Sequence, residues 1–300
     1  FWASTKASTL EPLILSNSDF SIQQEMKNTR ITFIGGGNMA RSLIGGLITA
    51  GTPAGNISVA EPCHEARTAL HEHFGVSTFA ENTAAAEQAD ILVLAVKPQV
   101  LHEALVPLED SISQNNPLLI SVAAGITTTS IEKWAGGNPA LVRVMPNTPA
   151  LVGAGISALF ANAHASEAQR DLAESIMRAV GTTVWVNNET LMDTVTAVSG
   201  SGPAYFFYLM QAMENAAVRE GLDADTARLL TLETALGAAR LALESNEGPG
   251  TLRERVTSPG GTTEAAIGVM DAAKVNETLA QAVTAARERS SELATLLGRD

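Results

Sequence analysis

Three hundred residues, 45% of them hydrophobic and few of them aromatic, suit a soluble globular protein of two ordinary domains. Nineteen basic against thirty-two acidic residues give a formal charge of −13, which argues against a nucleic-acid or anionic-membrane surface, and no apolar run has the length of a membrane span. The single cysteine, Cys63, excludes an intrachain disulfide and has no metal-ligand spacing around it, while the five histidines are scattered, His71 and His73 lying in a polar helix.

Residues 1–25 mix Ser, Thr and Gln around one short apolar patch, Leu13–Leu15, without the basic start, hydrophobic region and cleavage signal of a secretory leader. Met26-Lys-Asn-Thr-Arg reads as a natural start, so the preceding segment is expected to be a disordered extension or an artificial remnant. A cytoplasmic location is the default expectation.

Arg30–Ile34 is a short apolar run with β-branched residues that ends abruptly in Gly35-Gly36-Gly37-Asn38-Met39-Ala40. This predicts a strand, a tight turn and a helix through Arg41–Ala50. In the pattern G-x-G-x-x-A, Gly35 serves the turn, Gly37 lets a pyrophosphate approach the backbone, and Ala40 permits close helix–strand packing. A second strand, Ile57–Ala60, ends in Glu61, at the spacing of an acid that binds a ribose. Strand, glycine turn, helix, strand and acid in that order predict a dinucleotide site. The alternative is a glycine-rich turn in a cofactor-free α/β fold.

Helix and strand continue to alternate: a helix over Glu65–Phe74, a strand over Val76–Phe79 and a helix over Thr83–Ala89. Asp90–Val96 and Leu118–Ala123 are continuous apolar runs, as expected of strands covered on both faces. Lys97-Pro98 stops the first, and Ala124-Gly125 leads from the second to a helix over Thr129–Trp134. Leu141–Met145 runs into the rigid turn Pro146–Pro149, and strands over Gly155–Phe160 and Thr182–Val186 flank a helix over Glu167–Val180. The fold class is therefore α/β with a doubly wound sheet, whose strand ends at Gly35, Lys97 and Ala124 should face one crevice.

From about Glu189 the character changes. Pro203–Glu220, Ala224–Ser245, Thr263–Ala272 and Val275–Leu297 all read as helices. In the second of these Leu229, Leu230, Leu232, Leu236, Leu241 and Leu243 spread around the helix, which then needs neighbours on several sides. A subunit interface supplies them; a self-contained bundle is the alternative. The expected domains are 26–188 and 189–300.

Between the helices, Val256–Ile267 (VTSPGGTTEAAI) places two glycines and several hydroxyls before a helix. A turn of this kind points free N–H groups and the positive end of the helix dipole at a ligand, and suits a small carboxylate carrying a second polar group. A solvated turn capped by Thr262 is the alternative.

Over Arg30–Leu297 the sequence resembles the pyrroline-5-carboxylate reductases, which catalyse the last step of proline synthesis. The resemblance rests on Phe33–Ala40, Leu94–Pro98, Ser121–Gly125, Met145–Pro149 and, more specifically, Ala197–Tyr205 and Val256–Thr263. It implies an N-terminal Rossmann domain and an all-α C-terminal domain that forms a homodimer, with dimers gathering into a larger ring such as a decamer. Carried over by position, Gly35, Gly36, Gly37, Asn38 and Met39 should hold the pyrophosphate and Asn82 the adenosine side. Ala95, Val96, Lys97 and Pro98 should line the dinucleotide, with Ala123 and Ala124 near the nicotinamide. Ser258, Gly261, Thr262 and Thr263 should hold the carboxylate and ring nitrogen of 1-pyrroline-5-carboxylate. Glu189 matches a position lining the proline site, against the alternative of a solvated turn carboxylate. Ser199–Tyr205 is expected to pack and to shape the pocket.

The chemistry agrees with these residues. A protonated cyclic imine already carries an electrophilic carbon, so holding two reactants face to face supplies much of the catalysis, without nucleophile or metal. A hydroxyl such as that of Thr263 can orient the ring and accept its N–H, which makes Thr263 the candidate catalytic group. A β-hydroxyacid dehydrogenase joins similar domains, but that family uses a lysine in its helical domain, and this chain has none between Lys133 and Lys274. A nucleotide-sensing scaffold on the same fold is a further alternative. Glu61 favours the free ribose hydroxyl of NADH, the resemblance implies NADPH with NADH also accepted, and Arg67 is placed to offset Glu61.

Overall fold

A computed structural model of the protein describes Met26 and residues 28–298, so the extension expected over residues 1–25 lies outside the described residues. The chain divides into two compact units. One runs to Met192 and takes up the chain again from Leu293; the other is Asp193–Glu292. A boundary at residue 189 falls just before this division, and a domain 189–300 does not anticipate that the end of the last helix belongs to the first unit.

The first unit is built on an eight-stranded sheet: β1 (Ile31–Ile34), β2 (Ile57–Ala60), β3 (Ser77–Phe79), β4 (Ile91–Leu94), β5 (Leu118–Ser121), β6 (Leu141–Met145), β7 (Gly155–Ala161) and β8 (Gly181–Trp185). Their order is β3-β2-β1-β4-β5-β6-β7-β8. All neighbours are parallel except β6 and β7, which run antiparallel with Val142 opposite Ala161. The first six strands have the doubly wound order, with a topological switch point between β1 and β4.

Why the apolar runs become central strands follows from the two-residue period of an extended chain. Ile31, Phe33, Val59, Val93 and Ile120 point to one side, where they pack with Leu43 and Leu47 of helix α1 (Asn38–Thr49). Ile34, Leu92, Leu94 and Leu119 point to the other and meet Leu101, Leu105, Ile112 and Ile131. That second layer consists of α3 (Asn82–Ala86), α4 (Leu101–Leu105), α5 (Glu109–Asn115) and α6 (Thr128–Trp134); α2 (His64–Phe74) links β2 to β3. Thr32, buried in this core, satisfies its hydroxyl by donating to the Ala85 carbonyl at 3.1 Å.

The edge strand β8 is held to α7 (Glu167–Arg178), a helix opened by a reciprocal cap between Ser166 and Gln169. Glu174 accepts hydrogen bonds from Trp185 Nε1 at 2.7 Å, from the Thr183 hydroxyl at 2.8 Å and from Arg178 at 2.7 Å. Partial burial pushes this carboxyl up, but the three donors outweigh it and hold it below the ordinary carboxylate range.

The second unit is helical: α8 (Leu191–Val195, entering from the first unit), a π-turn at Thr196–Gly200, α9 (Gly202–Arg219), α10 (Ala224–Glu244), α11 (Pro249–Arg255), α12 (Thr262–Ala272) and α13 (Val275–Leu297). In the π-turn Ser201 N–H reaches back five residues to the Thr196 carbonyl, and the Tyr205 hydroxyl donates to the Ala197 carbonyl. Neither α8, the π-turn nor α11 is predicted by the sequence pattern. Asp223 caps α10 by accepting from Thr226 N–H. Only Ala227 and Thr231 of α10 are buried, and all six leucines singled out above are exposed, Leu243 to 87%. No helix among the described residues is long and apolar enough to cross a membrane.

Candidate active site

At the carboxyl ends of β1, β2 and β4 lies an open cavity of about 610 Å³. Its lining brings together Gly35, Gly36, Gly37, Glu61, Asn82, Ala95, Val96 and Lys97. Gly35 has φ +99°, and a Cβ there would lie 2.9 Å from the Ala95 carbonyl oxygen, so turn and strand ends can close only around hydrogen. A Cβ on Gly37 would meet nothing within 4 Å: it would project into open space where a ligand has room. Ala40, fully buried, seats α1 against the sheet. The first helical bond of α1 is Arg41 N–H to Gly37 O, leaving the amides of its first turn without helical acceptors. These features fit a dinucleotide pyrophosphate at a helix N-terminus.

The other expected cofactor residues lie outside this lining. Asn38 and Met39 form the first turn of α1, Pro98 opens a short 3₁₀ turn, Ala123 is buried and Ala124 is exposed. Asn82 lines the cavity while its amide donates to the Ala104 carbonyl at 3.1 Å. Glu61 accepts from Gly36 N–H and from Cys63 N–H, each at 3.1 Å, so its carboxylate is fixed against the glycine turn. Arg67 donates to the Glu61 and Pro62 carbonyls at 2.7 and 2.8 Å. Arg41 donates to the Gly36 carbonyl. Arg41 thus braces the glycine turn, and Arg67 the end of β2 that carries Glu61.

Glu189 is neither a solvated carboxylate nor an isolated one. Its Oε1 accepts from Thr128 N–H and from Arg143 Nη1, both at 2.8 Å, and its Oε2 accepts from the Thr128 hydroxyl at 2.7 Å. The Arg143 side chain is only 5% exposed. One carboxylate therefore joins β6, the start of α6 and the segment before α8. Arg143 escaped the sequence reading, although an arginine inside the apolar run Leu141–Met145 signals a buried acid partner.

In the second unit the turn preceding α12 closes through Gly261 N–H to the Ser258 carbonyl at 3.0 Å, with Gly260 at φ +71°. Thr262 is the first helical residue rather than a cap; Gly261 is the N-cap and no side chain caps the helix from that position. The first helical bond is Ala265 N–H to Gly261 O, so the amides of Thr262, Thr263 and Glu264 have no helical acceptor. Ser258 and Thr262 are exposed and Thr263 is half-buried. The Glu264 side chain, which the sequence reading passed over, folds back to accept Gly260 N–H at 2.7 Å.

Comparison with known proteins decides the family. The chain is 48% identical, over 91% of its length and all of the other's, to the pyrroline-5-carboxylate reductase of Pseudomonas aeruginosa. The chain belongs to the pyrroline-5-carboxylate reductase family. Residues 189–293 match the model for pyrroline-5-carboxylate reductase dimerisation, and residues 30–125 match a model described as NADP oxidoreductase, coenzyme F420-dependent. A solved reductase from Coxiella burnetii has a TM-score of 0.84 at 47% identity, covering 88% of this chain and 98% of that one. A pyrroline carboxylate reductase from Plasmodium falciparum, solved with NADP bound, has a TM-score of 0.81 at 28% identity, covering 90% and 99%.

Proposed function

We propose that the protein reduces 1-pyrroline-5-carboxylate to L-proline with NADPH, NADH being accepted as a second cofactor. The observation that carries this reading is the cavity over Gly37, with its open approach to the backbone, in a chain 48% identical over 91% of its length to a pyrroline-5-carboxylate reductase. The nicotinamide supplies a hydride to the imine carbon. The chain's own work is to hold and orient. Gly35–Gly37 and the first turn of α1 (Asn38, Met39) receive the pyrophosphate, Glu61 and Asn82 the adenosine half, and Ala95–Pro98 with Ala123 and Ala124 the remainder. The turn Ser258–Gly261 and the amides of Thr262 and Thr263, which have no helical acceptor, bind the substrate carboxylate, and the Thr263 hydroxyl accepts the ring N–H.

Glu189 spends three of about four acceptor directions inside its own unit, so any contact with substrate is a second task for it. The exposed leucines of α10 and the aromatic run Phe206, Phe207 and Tyr208 of α9, each more than 60% exposed, support a homodimer built on the helical unit. A ring of dimers, such as a decamer, and a cytoplasmic location complete the reading.

Cofactor oxidation measured with and without the imine tests the activity directly. Thr263→Ala should lower kcat/KM by about tenfold to a hundredfold, the loss of one buried hydrogen bond, with dinucleotide affinity barely changed. Full activity in that variant would reduce the loop to a helix start. An active monomer in sedimentation at micromolar concentration would overturn the dimer.

A further inference from the structure

The turn assigned to the substrate carboxylate already holds a carboxylate of the protein. Glu264 sits three residues into α12 from its N-cap, and its Oε2 accepts Gly260 N–H at 2.7 Å. A charged acceptor at that distance makes a strong hydrogen bond, and the N-terminus of a helix is where a negative group is stabilised. No ion pair among the described residues includes Glu264. The residue is exposed, so the side chain has room to turn. The amide is thus the partner that orients it, and rotation about its own flexible side chain is enough to release that amide.

We propose that Glu264 is an internal occupant of the substrate's carboxylate subsite and sets the affinity for substrate by competition. This rests on the reading of Ser258–Thr263 as the loop that binds the imine carboxylate. The two carboxylates draw on one turn and the same end of the same helix, and each carries a negative charge that disfavours the other. Substrate entry displaces Glu264 from Gly260 or tolerates it as a neighbouring like charge; in both cases binding is weaker than the loop alone allows. Product proline, which carries the same carboxylate, is released more readily for the same reason.

The opposite role is a clamp, in which Glu264 stabilises the turn and so strengthens binding. The two differ in sign. Glu264→Ala and Glu264→Gln are compared with the unaltered full chain at saturating cofactor, using pyrroline-5-carboxylate and 1-pyrroline, the same imine without a carboxylate. Competition requires that Glu264→Ala lower KM for pyrroline-5-carboxylate about threefold to fivefold, the size of one charge at a helix N-terminus. It also requires tighter proline binding by calorimetry, no gain for 1-pyrroline, and an intermediate effect for Glu264→Gln, which keeps an acceptor and loses the charge. A KM that is unchanged, that rises in Glu264→Ala and recovers in Glu264→Gln, or that falls equally for both imines overturns the proposal. Thr263→Ala, measured alongside, separates the two layers. If it impairs imine turnover while Glu264→Ala brings no gain, competition alone fails; if neither variant alters turnover, the loop is not the substrate site and both readings fall.

Discussion

Removing Glu189 should damage the protein before it damages catalysis. Glu189→Ala strips the buried Arg143 of its counter-charge at 2.8 Å and leaves both the Thr128 amide and hydroxyl without their acceptor. Breaking a buried pair from one side costs about 3–5 kcal/mol. With the Glu189 side chain 20% exposed and Arg143 5%, water can partly rescue the loose ends, which brings the expectation to about 2–4 kcal/mol. For a unit of this size each kcal/mol moves Tm by roughly 2–4 °C, so a fall of about 4–16 °C is expected by circular dichroism. Glu189→Gln, which preserves shape and an acceptor, should lose about half as much. The pairing itself is read from Arg143→Met combined with Glu189→Leu: filling the space with apolar groups should recover about 1 kcal/mol or more relative to the sum of the single losses. Additive losses, or a Glu189→Ala protein melting within about 2 °C of the parent, would refute the argument.

Three further outcomes are expected. Gly37→Val should abolish dinucleotide binding while the far-ultraviolet spectrum and melting curve stay native, because a side chain there enters open space and not the core; normal NADPH affinity in the folded variant would remove the cofactor site. Glu61→Ser should raise the NADPH/NADH ratio of kcat/KM on the order of tenfold by deleting a carboxylate beside the 2′-phosphate, and an unchanged ratio would show that Glu61 does not read the ribose. Glu174, held below its ordinary value of 4.5, stabilises the fold above that pH and loses its contribution as pH falls through the lower folded value. Urea titrations between neutral and acid pH should therefore show a shallower acid loss for Glu174→Gln, and parallel curves would contradict it.

The sheet was legible because its strands announce themselves: Ile91–Leu94 and Leu118–Ile120 are apolar at every position, which only a two-sided cover explains. The glycine turn was legible because Gly35 and Gly37 answer to backbone geometry, which sequence carries directly. What stayed hidden depends on partners distant in sequence. The Thr128–Arg143–Glu189 network spans 61 residues and no local period encodes it. The reversal of β7 against β6 leaves no trace in a run such as Gly155–Ala161, whose alternation reads the same in both directions. Glu264 was hidden for a different reason: an acid in the first turn of a helix is so ordinary that its reach back to Gly260 drew no notice.

The π-turn at Thr196–Gly200 makes the chain unusually forgiving of a change in length at that point. Each residue of an α-helix advances the azimuth by about 100°, so a residue lost from ordinary helix swings everything after it by that amount. The turn closed from Ser201 back to Thr196 spends one residue more than an α turn on about the same rotation. Deleting one residue there would let the stretch relax into ordinary helix, with the flank that carries Phe206, Phe207 and Tyr208 still facing the same way. An evolving gene can therefore lose a codon within Thr196–Gly200 more easily than one within the first turn of α9.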